Sequence, residues 1–391
     1  MPNFESPLLN MFVNDSPSSR FWKRFFRNFQ AVLGLGIILL AMLVSVFCYV
    51  LMPDNSPDAN EMHVSLGLLP PGTSVFFLEL PSTANPNDDL FPDWLTGSSL
   101  SVKRIPVDMY FVKQGKLYWV EYGSYTADLK NQKQADLLAV CPTCDHAKSD
   151  SENLLEIREK QSSIRTFYLG SDRFGRDQLS RLMAGTRISM SVGLIAVFIS
   201  LVIGVFLGSI AGFFRGRVDD VVMWFTNVVW SIPTLLLVIA ITLALGKGFA
   251  QVFVAVGLTM WVEVARLVRG QIFSLREKDF VEAGRALGFG NLRIIFRHVL
   301  PNVMGPVVVI AASNFASAIL LEAGLSFLGM GAQPPTPSWG MMVKESYAYI
   351  VLDAAHLAVF PGLAIMLMVL AFTWLGNGLR DALDTRSVDS R

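Results

Sequence analysis

The feature that most constrains this chain is a set of six apolar stretches, each long enough to cross a bilayer, which takes about 20 helical residues. The chain is 52% hydrophobic and 16% charged, whereas an average soluble domain is about 25% charged. Only helices and closed barrels satisfy every backbone polar group in lipid, so the pattern predicts an all-α integral membrane protein with six transmembrane helices. The stretches are 31–52, 188–214, 221–246, 249–268, 303–329 and 357–378.

The segment ahead of the first apolar stretch is basic and aromatic (RFWKRFFRNF, residues 20–29). A cleaved signal peptide has an apolar core of about 7–15 residues followed by small residues at the cleavage site. The stretch here is longer and lacks an obvious site of that kind. We therefore expect it to be retained as a signal anchor.

The placement of Lys and Arg predicts the orientation, because short cytoplasmic loops carry an excess of both. With the N-terminus inside, basic residues concentrate in the segments predicted to be cytoplasmic, and the two short outer loops contain only Lys247 and Lys344. We therefore expect a multi-pass protein of the cytoplasmic (inner) membrane with both termini in the cytoplasm. The formal net charge is zero, which argues against a nucleic-acid partner.

A polar segment separates the first two predicted helices and is expected on the outer face as a small insert that contains β-structure. The alternating runs SVFFLEL (74–80) and KLYWVEY (116–122) predict strands. The charged run DSENLLEIREKQSSIR (150–165) predicts a helix that leads back to the membrane.

Small residues and a proline predict how two of the helices pack. Gly204, Gly208 and Gly212 lie on one helical face, where they permit close approach of another backbone. Packing within the chain is the favoured interpretation, and contact with a second membrane subunit is the alternative. Pro233 predicts a kink in the third transmembrane helix.

The fourth and fifth apolar stretches are joined by a charged segment that contains VEAGRALGFG, residues 281–290. Helical spacing places Phe280, Ala283 and Leu287 on one face, and Gly288 is expected to end that helix. A second short amphipathic helix is predicted to follow, with Asn291 as its N-cap. The orientation puts this pair in the cytoplasm, where it either lies on the membrane surface or forms a docking surface for a partner.

The sequence EAGRALG (282–288), followed nine residues later by HVLP (298–301), closely resembles the EAA loop of binding-protein-dependent ABC importer permeases. Gly284 stands where the family pattern has a second alanine. Three further stretches, residues 169–190, 321–342 and 360–384, resemble the dipeptide/oligopeptide permease C-type subunit of the peptide and nickel branch. The positions that match the loop pattern are Glu282, Ala283, Gly288, Leu300 and Pro301.

This resemblance implies the type I importer permease fold and a role in ATP-driven import of dipeptides or oligopeptides. It implies a second homologous permease, two cytoplasmic ATPase subunits and an extracytoplasmic substrate-binding protein as partners. The implied organisation is an N-terminal segment and first helix (1–52), an outer insert (53–186), a permease domain (187–381) with its coupling loop (270–301), and a cytoplasmic tail (382–391).

Other assignments remain open beside this one. The same machinery could import nickel or another small solute. An ion-coupled secondary transporter would use Glu263 and Glu322 as carriers, and a membrane sensor would use the insert as its receptor. No phosphate-binding loop occurs in the sequence, so we expect no ATP hydrolysis, no cofactor and no enzyme activity on this chain. The four histidines lack metal-ligand spacing, and no metal site is expected.

Three smaller features each have two or more interpretations. Cys141 and Cys144 predict a local disulfide in an oxidising compartment, and a metal site or free thiols are the alternatives. Glu322 is a candidate for the transport pathway or an outer gate, or it binds loop backbone near the outer interface. The charges of GSDRFGRD (170–177) predict a tight, salt-bridged turn at the outer mouth, or a contact with the binding protein.

Overall fold

The computed structural model describes residues 17–81, 92–97, 102–124, 132–141, 144, 148–246 and 248–383. Nearly all of the expected tail 382–391 lies outside these residues, as do Lys247 of the outer loop and His146 beside the cysteine pair.

Long apolar helices build most of the molecule, as the sequence predicts. Within the described residues, five helical segments are long and apolar enough to cross a membrane, and a bent helix pair provides up to one more. The five are α2 (Phe29–Leu51), α6 (Gln178–Phe214), α9 (Phe249–Leu275), α12 (Leu300–Phe327, extended at its start to Asn291) and α14 (His356–Leu383).

The third predicted span is a pair of helices rather than one kinked helix. Helix α7 (Gly216–Trp230) and helix α8 (Thr234–Leu245) meet at 91°. Pro233 has no amide hydrogen and disfavours helical geometry at Ile232, which explains why the helix breaks at this point. The sharp angle leaves a cavity at the break, against α9 and α12.

Helices α6 and α9 are in close contact along the glycine face. An added Cβ at Gly204 would lie 2.5 Å from Cβ of Val264, and one at Gly208 would lie 2.5 Å from the carbonyl oxygen of Ala265. Real Cβ atoms do not approach so closely, so the glycines permit the helix contact. Packing within the chain is therefore confirmed as their use.

The insert contains a five-stranded antiparallel sheet in the order β4-β3-β2-β1-β5. Both predicted strands are present, within β1 and β3, and the sheet packs a core that includes Trp119 and Ile157. The strands are β1 (Thr73–Pro81), β2 (Val102–Lys113), β3 (Lys116–Glu121), β4 (Lys133–Asp136) and β5 (Ser162–Phe167).

The charged run 150–165 is only partly helical. Helix α5 (Asp150–Lys160) begins at a capping box between Ser149 and Glu152 and ends at Gln161. The chain then forms β5, which pairs with β1, instead of continuing as a helix to the membrane. The remaining helices are α1 (Pro17–Arg27), α3 (Asp93–Thr96), α4 (Leu137–Val140), α10 (Asp279–Ala286), α11 (Asn291–Ile294) and α13 (Trp339–Ser346).

A buried ion-pair cluster joins α13 to the start of α6, at the end of the helix bundle near the sheet. Arg176 binds Asp172 over 2.6 Å and Glu345 over 3.0 Å, and Arg181 lies 3.4 Å from the same Glu345 oxygen. Arg176 and Arg181 are 1% and 2% exposed, so these charges depend on one another. The predicted salt-bridged turn is confirmed, and α6 begins at Gln178, before the expected domain boundary at 187.

Candidate functional site at the glycine-hinged loop

The loop begins with α10, which lies at the end of the bundle opposite the sheet. Its first turn contains Asp279 and Glu282 and its last turn contains Arg285. Acidic residues at the N-terminus and basic residues at the C-terminus of a helix interact favourably with its dipole. This charge order helps a helix of only eight residues to form.

Gly288 ends α10 in a left-handed conformation, with φ of +75°. Its amide donates to the carbonyl of Arg285 over 2.9 Å, and the amide of Phe289 donates to the carbonyl of Gly284 over 3.0 Å. These two bonds form a Schellman motif, which satisfies the last carbonyls of a helix. The helix end expected at Gly288 is therefore present, and its positive φ explains why glycine occupies it.

The second arm differs from the expected separate helix. Gly290, not Asn291, is the N-cap of α11, and Asn291 is the first helical residue. One π-helical turn (Ile295–Val299) then connects α11 directly to α12. Since Pro301 has no amide to donate to the preceding turn, local widening of the helix accommodates it.

One side of the loop is buried against the bundle. Val281, Ile294 and Val299 are fully buried and pack in a cluster with Val268 and Ile272 of α9. A well-packed apolar contact moves as a unit. The two arms are therefore fixed to α9 and α12, the helices on either side of them.

The other side of the loop presents exposed apolar side chains, which we call the docking face. It consists of Phe280 (41% exposed) and Leu287 (72%) on the first arm and Leu292 (67%) and Phe296 (60%) on the second arm, where the latter two also line an apolar groove against α6. Exposed apolar side chains on a charged segment at the end of the bundle mark a site of contact with a partner protein or with the membrane surface. The spacing of Phe280 and Leu287 predicts this face. The exposure of Leu292 and Phe296, with Ile295 and Val299 buried beside them, appears only in the fold.

The residues matched to the family pattern occupy different positions on the loop. Glu282 and Ala283 are exposed, and Glu282 accepts no side-chain hydrogen bond from the described residues. Gly284 is buried, and a Cβ added there would lie 3.6 Å from the Phe289 ring, an ordinary contact. Leu300 is half-buried and Pro301 is exposed at the first residues of α12.

Two arginine contacts connect the loop and the neighbouring α9 to other helices. The Arg285 guanidinium lies 5.7 Å from the ring centroid of Phe213, a buried residue near the end of α6. Asp219 of α7 accepts two hydrogen bonds of 2.5 Å from Arg269 of α9. Sequence reasoning missed Phe213 and Asp219, because a contact between distant segments has no signature in local spacing.

Glu322 lies near the opposite end of α12, about 33 Å along the helix from Leu300 at 1.5 Å per residue. It is 1% exposed, and its carboxylate accepts hydrogen bonds from Ser326 over 2.6 Å and Ser189 over 3.4 Å. Its contacts are thus hydroxyls of α12 and α6 instead of loop backbone. The geometry joins two helices, and a gate at this point stays a prediction.

The cysteine pair closes one side of the insert core. Cys141 and Cys144 are buried and joined by a disulfide. The third cysteine, Cys48 of α2, is buried and free. Among the described residues, no three acidic, histidine or cysteine side chains cluster as metal ligands would.

The fold and the loop define a class: a multi-span membrane protein with an exposed docking face. A family model described as the inner membrane component of binding-protein-dependent transport systems matches residues 204–388. A second model, the N-terminal transmembrane domain of oligopeptide transport permease C, matches residues 16–71.

Two relatives share much of the chain. The glutathione transport system permease protein GsiD of Pectobacterium atrosepticum is 42% identical over 238 residues, which is 61% of this chain and 79% of the relative. GsiD of Escherichia coli O6:K15:H31 is 45% identical over 219 residues, 56% of this chain and 72% of the relative. This chain belongs to the inner membrane components of binding-protein-dependent transport systems, the permease subunits of ABC importers.

A solved structure of the MetNI methionine ABC transporter in an inward-facing conformation also aligns with the chain. The TM-score is 0.43 and the identity 20%, over 52% of this chain and 97% of the other. As a transport permease component, the chain is not itself an enzyme.

Proposed function

We propose that this permease imports short peptides across the cytoplasmic membrane and that the loop from Asp279 to Pro301 couples it to an ATPase. The single observation that carries the proposal is the docking face. A membrane protein exposes four large apolar side chains on a hinged, charged segment that is firmly packed on its other side.

The loop is built to transmit movement. An ATPase bound to the docking face would displace α10 when it changes conformation. The buried contacts of Val281 and Ile294 would transmit this displacement to α9 and α12. Rigid-body rotation of helices around an interface is a known mode of switching. This chain does not need to bind or hydrolyse ATP, since in the proposed complex the ATPase subunit binds ATP and supplies the free energy.

Glu282 is proposed to bind the ATPase directly. Its carboxylate is exposed beside Ala283 and has no side-chain partner among the described residues. A charge-assisted hydrogen bond to a partner's basic or amide group would orient the loop in the cleft. Gly288 then serves as the permissive joint between the two arms.

The proposed complex contains this chain, a second homologous permease, two cytoplasmic ATPases and an extracytoplasmic binding protein. In this arrangement the loop end of the bundle and both termini face the cytoplasm, and the sheet faces outward, where a disulfide between Cys141 and Cys144 persists. The peptide class is supported by the resemblance to oligopeptide permeases and by relatives named for glutathione, itself a small peptide.

Two loop variants test the proposal in a reconstituted importer. Glu282→Lys reverses the charge offered to the ATPase, and Gly288→Pro excludes the φ of +75° at the joint. We expect both to abolish ATP-dependent peptide uptake while the protein still inserts in the membrane. Asp220→Asn, which removes another exposed carboxylate on the loop side, is the control. Wild-type uptake by either loop variant would remove the coupling assignment.

A further inference from the structure

A cavity of about 320 Å³ lies at the break between α7 and α8, and one carboxylate faces it. That carboxylate belongs to Glu263, which is near the middle of α9, about 20 Å from either end at 1.5 Å per residue. The cavity is also lined by three hydroxyl-bearing side chains and by apolar groups. These are Thr234, Thr259, Ser317, Trp230, Ile232 and Leu237.

Glu263 has no cationic partner within the described chain. The nearest basic residue along α9, Arg266, donates to Asn227 over 2.5 Å, and its guanidinium lies 3.7 Å from the ring centroid of Trp230. Arg266 thus contacts Asn227 and Trp230, and among the described residues it forms no ion pair with Glu263. Glu263 lies within the fourth apolar stretch (249–268), and a charged side chain inside a membrane span is costly and is retained where it faces a pathway or binds a cation.

The cavity opens on a face that the chain's own helices leave uncovered. Trp230 is 61% exposed and Leu320 is 52% exposed at its rim. A second permease seated on this face would enclose the cavity between the two subunits. Broken helices at the midplane commonly form substrate sites in transporters, because their irregular backbone lines a polar cavity.

We propose that Glu263 forms a subsite that binds the free ammonium group of the transported peptide. The size of the cavity fits a ligand of about two residues, at the lower end of the range for small-molecule pockets. The hydroxyls of Thr259 and Ser317 would accept or donate hydrogen bonds to peptide groups of any sequence. This inference rests on the proposed peptide substrate and names the part of the peptide that the permease recognises.

The test uses the complete importer with its binding protein in proteoliposomes. For dialanine, Glu263→Gln should lower the maximal uptake rate at least tenfold and leave both the half-saturating concentration and the stimulation of ATP hydrolysis by loaded binding protein unchanged. Glu263→Asp, which keeps the carboxylate, should recover part of the rate, and Asp220→Asn should behave as wild type. Unchanged uptake by Glu263→Gln would overturn the proposal. Equal loss of uptake and stimulated ATP hydrolysis would overturn it too, since Glu263 would then pair with a residue of the second permease.

A second readout does not depend on transport. In the nucleotide-free complex, an apolar carbodiimide should label Glu263, as located by mass spectrometry of the digested chain. Dialanine should protect Glu263 from labelling, and N-acetyl-dialanine, which has no ammonium group, should not. Equal protection by both compounds, or by neither, would overturn the ammonium subsite. If wild-type importer carries no peptide, the proposed substrate is wrong, and the labelling result still decides the subsite.

Discussion

The carbonyl oxygen of Gly284 accepts a hydrogen bond of 3.0 Å from the amide of Phe289, and this bond closes the turn between the two arms of the coupling loop. The Phe289 ring lies against Gly284, at 3.6 Å from the position that a Cβ would take. The joint is thus held by backbone bonds and one aromatic contact. A small residue at position 284 allows this contact, and an alanine would fit as well.

Gly284→Ala is expected to stabilise the loop without altering transport. Glycine inside a helix costs about 1 kcal/mol relative to alanine, and the new methyl group would make only ordinary contacts with Phe289 and Ile294. Hydrogen exchange of the Phe289 amide should slow by about fivefold, the factor that corresponds to roughly 1 kcal/mol. Faster exchange, or a loss of uptake, would show that the glycine is needed for its flexibility.

Gly288→Ala should act in the opposite direction. No atom lies within 4 Å of an added Cβ, so sterics with neighbours are not the obstacle, but the φ of +75° costs an L-residue about 1–2 kcal/mol. We expect the Phe289 amide to exchange faster and uptake to fall in part, whereas Gly288→Pro abolishes it. Equal activity of the alanine and proline variants would contradict a role for the left-handed turn.

The loop shows where sequence reasoning succeeds and where it stops. Helical spacing placed Phe280 and Leu287 on one face, and the turn chemistry of glycine located the hinge at Gly288, because both depend on local geometry. The 91° break at Pro233 and the direct connection of the second arm to α12 depend on packing between helices. The ion pair of Arg176 with Glu345 joins residues 169 positions apart, which no local pattern encodes.

The insert should lose stability in acid through Glu61. Burial raises the pKa of this carboxyl, but a hydrogen bond from His63 and the charges of Arg165 and Arg104 outweigh burial and lower the pKa from 4.5 to about 2. A lowered pKa stabilises the folded state above pH 4.5, and this stability is lost as the pH falls toward 2. Thermal unfolding of the full-length protein should show this loss. Glu61→Gln should remove it and unfold at lower temperature near neutral pH.

The buried cluster at the sheet end predicts unequal effects of two matched substitutions. Glu345→Gln leaves Arg176 and Arg181 buried without their shared carboxylate and should cost about 3–5 kcal/mol. Glu121→Gln breaks the exposed ion pair with Lys133 and should cost less than about 1 kcal/mol. Melting temperatures of the two variants in detergent measure the difference. Equal shifts would mean that the buried cluster does not hold α6 and α13 together.

The cysteines allow a direct count. The chain has three cysteines, of which Cys48 is free and Cys141 and Cys144 are joined. Protein denatured without reductant should therefore react with one equivalent of a thiol reagent, and reduced protein with three. Three equivalents before reduction would show that the insert matures with free thiols, and would count against its placement in an oxidising compartment.

The central claim, that the docking face binds an ATPase, is tested most directly by purification of the importer in mild detergent through a tag on this chain. We expect two ATPase subunits and a second permease to be recovered with the wild type. The double variant Leu287→Asp/Phe296→Asp should recover the second permease but no ATPase. Val351→Asp, a still more exposed apolar position on the segment between α13 and α14, should recover all partners. Normal recovery of the ATPase with the double variant would contradict the claim.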